Sequence, residues 1–135
     1  MYTLDELKQQ NEDISQLCDV LSVLMEDSGL HNNDYVEELM SRFREKVWMH
    51  LVFEDNAIYA GLLKSGDQDI RDAAKQFHDS ANEIKHRFAN FIKHWRHMNV
   101  ADDEHEPLCK DCREVFMMIR DRIQFENEQI FPLIG

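Results

Sequence analysis

A histidine and a glutamate one helical turn apart, His50 and Glu54, stand inside a stripe of apolar residues. The stripe runs Val36, Met40, Phe43, Val47, His50, Glu54, Ile58, Gly61, at the spacing that faces one way on an α-helix. A carboxylate in such a stripe loses its water. That costs several kcal/mol unless a partner, a proton or a metal ion replaces the solvent. An H-x-x-x-E step on an inward helix face is also how helical bundles present metal ligands. The pair marks a metal site or the remains of one.

The same local sequence returns 72 positions later, His50 to Tyr59 reappearing as Arg122 to Phe131. Phe53, Glu54 and Ile58 have identical counterparts in Phe125, Glu126 and Ile130, while Arg122 stands where the histidine was. The repetition suggests two related helix pairs facing each other across one core.

The elements that must position these residues read as helix almost throughout. A first helix, about Leu4 to Met25, carries Leu4, Leu7, Asn11, Ile14, Cys18, Leu21 and Met25 in steps of three and four, with Asn11 the polar interruption. Asn33 or Asp34 can cap a second helix running roughly from Tyr35 to Leu63, and Lys64 to Asp67 forms the next turn. The third helix, about Gln68 to His97, offers Phe77, Ala81, Ile84, Phe88, Phe91 and Trp95 to the core. A polar connector, Asn99 to Pro107, leads to a fourth helix from near Leu108 to Ile130, which presents Cys112, Val115, Ile119, Arg122, Glu126 and Ile130; Pro132 is expected to stop it. No strand pattern competes. The fold class expected is all-α, an antiparallel up-down-up-down four-helix bundle in one domain spanning 1–135.

Composition narrows the function classes. A formal net charge of −12 argues against nucleic acid, whose phosphates need a basic face, and disfavours anionic membrane surfaces. No run of eighteen apolar residues exists and the first residues lack a basic, then apolar, leader, so the expected location is cytoplasmic. Three cysteines fit a reducing compartment. Cys109 and Cys112 form a lone C-x-x-C, with His105 nearby, but a zinc ribbon needs a second such pair and a thioredoxin-like site needs a βαβ setting. Met98, Met117 and Met118 read as core or near-core filler, and Trp48, off the inner stripe, as a mark of a contact surface. No nucleophile–base pair or phosphate loop is visible.

Taken with the opening Leu7 to Ile14 and the closing Glu126-Asn-Glu-Gln-Ile-Phe-Pro132, the His50/Glu54 step makes nearly the whole chain resemble the hemerythrin family in its HHE-domain form. The resemblance implies a four-helix bundle and, in complete members, a non-haem di-iron centre held by histidines and two bridging carboxylates and open to dioxygen. His50 matches a histidine ligand, and Glu54 and Glu126 match the bridging carboxylates. Asn11 and Arg122 stand where histidines are expected, and His78 is the nearest candidate for the ligand of the third helix.

Two functional readings remain open. In one, His50, Glu54 and Glu126, with His78 as a further ligand, hold non-haem iron (one ion or two) or another divalent metal, and the protein binds or senses dioxygen or another small ligand. In the other there is no cofactor. Arg122 then bridges Glu54 and Glu126, His50 and Asn11 complete a buried network, and the bundle serves as a regulatory or protein-interaction module. Binding is expected in both, and an enzyme in neither.

Overall fold

The computed structural model describes residues 4–27, 29, 33–95 and 104–134. Among them are four long helices and no strand. The first, α1, spans Leu4–Glu26. The second, α2, spans Asp34–Glu54, continues through a π-helical turn at Asp55–Tyr59, and closes with one α turn at Ala60–Leu63. The third, α3, is Gln68–His94. The fourth, α4, repeats the design of α2: an α segment His105–Phe125, a π turn Glu126–Ile130 and a last α turn Phe131–Ile134. Each packs on its sequence neighbours, and α1 closes the ring against α4.

Local signals set the starts. Asn33 caps α2, its side chain accepting from the Tyr35 N–H at 2.8 Å. Asp67 caps α3 through the Asp69 N–H at 2.9 Å. Helix α4 starts earlier than its apolar pattern suggests. His105 and Glu106 are already helical, and Pro107 sits in the first turn, where its missing N–H has no intrahelical acceptor to lose. The expected course from Asn99 to Asp103, and of α3 beyond Trp95, lies outside the described residues.

Two expectations fail at the π turns. Gly61 is exposed and Leu62 takes its place in the core. A π turn holds one residue more than an α turn, so it shifts every later residue of α2 by one position on the inner face. Pro132 does not stop α4, which runs on to Ile134. A proline normally collides with the carbonyl four residues back. Here the preceding ladder is already displaced, with the Phe131 N–H reaching back five residues to the Glu126 carbonyl. Met117 is a third correction: it is exposed, while Met118 packs at the core edge.

The core is layered along the bundle. One apolar cluster, centred on Phe43 with Phe88 and Phe116 against its ring, fills the larger part. A second holds Leu7, Ile58, Leu62, Ala74, Phe77, Ile130 and Phe131. Between them, at one level of α1, α2 and α4, lie the five buried polar side chains among the described residues: Asn11, His50, Glu54, Arg122 and Glu126.

Candidate metal centre

Each polar side chain of this layer takes a place that its helix would otherwise give to an apolar residue. Asn11 falls between Leu7 and Ile14 on α1, Glu54 between Leu51 and Ile58 on α2, and Glu126 between Ile123 and Ile130 on α4. Both glutamates stand at the mouth of a π turn. Such turns gather at functional sites, because the extra residue re-aims the side chains around it.

His50 is the hub. Its Nδ1 lies 2.6 Å from Gln10 Oε1, which can only accept, so Nδ1–H donates. Its Nε2 then faces two carboxylate oxygens, Glu54 Oε1 and Glu126 Oε1, each at 3.1 Å. A bare lone pair cannot rest against two carboxylates that hold no proton. A proton or a cation must therefore sit among the three groups. Burial works against the imidazolium, but hydrogen bonding to Glu126 and the charge of both carboxylates outweigh it and hold its pKa up to about 9.

The two carboxylates differ sharply. Glu126 Oε1 accepts from His50 and from Asn11 Nδ2 at 2.9 Å, and its Oε2 accepts from Arg122 Nε at 2.7 Å. Burial alone would raise its pKa, but His50 and Arg122 outweigh it and hold Glu126 well below the usual carboxylate range. Glu54 is fully buried, and neither of its oxygens has a hydrogen-bond partner. Burial and the neighbouring Glu126 charge push it upward, toward the protonated form.

Arg122 stands between the two carboxylates as expected, in a short ion pair with Glu126 and a long one with Glu54. Its Nη1 donates to the Phe77 carbonyl at 2.6 Å and its guanidinium lies 4.0 Å over the Phe77 ring. Its Nη2 stays 3.5 Å from Glu54 Oε1, without a hydrogen bond. Arg122 thus hydrogen-bonds Glu126 and reaches Glu54 by charge alone.

His50, Glu54 and Glu126 come together, with one donor atom from each within 4.8 Å of the others. His78 does not join that group: its ring meets Tyr59 edge-on at 4.2 Å, and its Nε2 is 3.2 Å from Asn82 Nδ2. Gln10 and the Phe77 carbonyl are the participants that sequence reasoning missed. Gln10 precedes Asn11 on the margin of the α1 stripe, which was a usable signal; a backbone carbonyl leaves none. The C-x-x-C is a core feature. Cys109 and Cys112 are buried free thiols, and Cys109 Sγ donates to the Met25 carbonyl at 2.9 Å.

Among the described residues, no helix is long and apolar enough to cross a membrane. The family model for the hemerythrin HHE cation binding domain matches residues 2–134, while no curated protein and no solved structure matches. The helical bundle, the inward His50/Glu54 step and this match over nearly the whole chain agree: the chain belongs to the hemerythrin HHE cation-binding family.

Proposed function

We propose that the protein binds one divalent cation, with His50, Glu54 and Glu126 as its ligands, and serves in binding or sensing rather than in catalysis. The observation that carries this is the Glu54 carboxylate, wholly buried with no hydrogen bond to either oxygen, beside an imidazole nitrogen and a second carboxylate. A buried polar group without a partner costs about 1–3 kcal/mol, more if charged, and a cation removes that cost. One imidazole and two carboxylates suit Fe(II), Mn(II) or Zn(II). Gln10 supplies the outer hydrogen bond that points Nε2 inward.

A pair of cations does not fit. Arg122 already brings a fixed positive charge to Glu126, and Asn11 turns its N–H2, not a lone pair, to the same carboxylate. A single ion with three protein ligands keeps open positions, where dioxygen or another small ligand can bind. The charged groups around it are committed to one another, which favours a binding role over turnover.

Elemental analysis of untagged protein from iron-supplemented medium, followed by titration of stripped protein with Fe(II), Mn(II) and Zn(II), tests this. One ion per chain, lost on Glu54→Ala, is expected. Wild-type protein that takes up no ion sinks the proposal.

The short Arg122–Glu126 pair supports a second reading, in which the layer is a metal-free polar core. Here the bundle acts as a regulatory or interaction module. This reading expects Arg122→Ala to cost about 3–5 kcal/mol, because it removes one partner of a buried ion network. Unchanged stability in chemical denaturation would remove the network reading.

A further inference from the structure

On the outer side of the polar layer, the groove between α1 and α2 opens into a cavity of about 630 Å³. That is within the roughly 300–1,000 Å³ of small-molecule sites. Its walls are mainly apolar, with Ile14, Trp48, Met49, Val52 and Phe53, and His50 and Asn56 are among the polar groups that also line it. Three of these, Trp48, Met49 and Val52, are exposed large apolar side chains on α2. The chain thus keeps apolar surface around a concavity instead of burying it.

The polar groups of the lining say what would fit. Gln10 meets His50, which fixes the level of α1 against α2. Asp13 and Lys46, each about one turn from that contact, also line the cavity, so opposite charges share one end of it. They favour neither an anion nor a cation. Gln10 spends its oxygen on His50, and among the described residues its amide N–H2 has no acceptor. A hydrogen bond accepted at the oxygen polarises the amide and strengthens its N–H groups as donors.

We propose that this cavity binds a neutral, largely apolar small molecule, aromatic or alicyclic, that sets a carbonyl oxygen on the Gln10 amide. Trp48 and Phe53 supply flat apolar walls for its body. His50 lines the cavity at its inner edge, and Gln10 ties the occupant to its Nδ1, so Gln10 acts as a positioning residue that couples cavity occupancy to the polar layer. This holds whether or not a cation is bound.

The test uses the neutral aromatic ketone 6-propionyl-2-dimethylaminonaphthalene, whose emission shifts to the blue in apolar surroundings. It is titrated into the full chain with chelator present, so that failure of the cavity and failure of the cation site are separate results. Saturable binding of one dye per chain is expected. Ala57→Phe, which fills the cavity, should weaken it at least tenfold, with Val52→Trp as a second filler should the first variant lose helicity. Gln10→Leu should weaken it about fivefold, the worth of one hydrogen bond. At saturation, dye should also move the His50 Nδ1 resonance further in wild type than in Gln10→Leu. No saturable binding, equal affinity in a folded cavity-filled variant, or self-association that buries Trp48 and excludes the dye would each overturn the proposal.

Discussion

Glu126 accepts three hydrogen bonds and Glu54 accepts none, although the two residues share their local sequence and stand in corresponding positions of α2 and α4. Substitution should expose the difference. Glu126→Gln strands Arg122 and His50 without their anion and should cost about 3–5 kcal/mol. Glu54→Gln replaces a carboxyl already pushed toward its neutral form, and should change stability by less than about 1 kcal/mol. Denaturant unfolding of the two variants, without added metal, checks this; equal losses would refute the asymmetry. The pH dependence follows from the same residues. His50 is held at about 9 against an ordinary 6.5, so its contribution is complete below pH 6.5 and is lost as pH rises through 9. Glu54, also raised, loses stability in the same direction above its ordinary 4.5. Glu126, held down, contributes above 4.5 and loses that only as pH falls through its lowered value. Unfolding free energy should therefore decline between pH 6.5 and 9, and His50→Gln should flatten the decline. A wild-type profile that is level over that interval would contradict the protonated His50. His50, Glu54 and Glu126 were legible as an inward set because polar residues interrupt apolar stripes. Their division of labour was not, since it depends on Gln10, Asn11 and a backbone carbonyl on three helices.

At the scale of elements, the apolar periods of α1 and α3 predicted most of the buried faces: Leu7, Asn11, Ile14, Cys18, Leu21 and Met25 are buried, as are Phe77, Ala81, Ile84, Phe88, Phe91 and Trp95, while Leu4 is only partly buried and Ala74 joins the core unannounced. The phase itself slips only after Glu54 and Glu126, where the period changes. Nothing in Asp55 to Tyr59 announces a wider turn, because a π turn is selected by what it does for tertiary packing more than by local propensity. Its use here is to let one helix aim Glu54 into the polar layer and still bury both Ile58 and Leu62 below it. The wide turn absorbs one residue, so deleting Asn56 should convert it into an ordinary turn with Leu62 still inward and Gly61 still out. In denaturant unfolding the loss should then stay below the burial of one leucine, about 2 kcal/mol. A larger loss would mean that the wide turn does more than hold the register of Leu62.

For the whole molecule, the polar layer separates two apolar clusters that are complete without it. The larger cluster also encloses Cys18 and Cys112, whose thiols burial pushes up to about 12, while burial likewise raises Cys109. An aromatic disulfide reagent should consequently label the native protein slowly, and the rate should climb with denaturant in step with unfolding. Fast native labelling at any of the three would show an opening that the packing does not contain. The two halves of the polar layer finally differ in where their positive charge comes from. On α2 it must be recruited, as a proton or an ion, and it varies with the surroundings. On α4 it is Arg122, delivered by the ribosome with the rest of the chain. Half of the site is thereby independent of metal supply, and a cell short of metal still makes a bundle whose Glu126 is neutralised from the moment it folds.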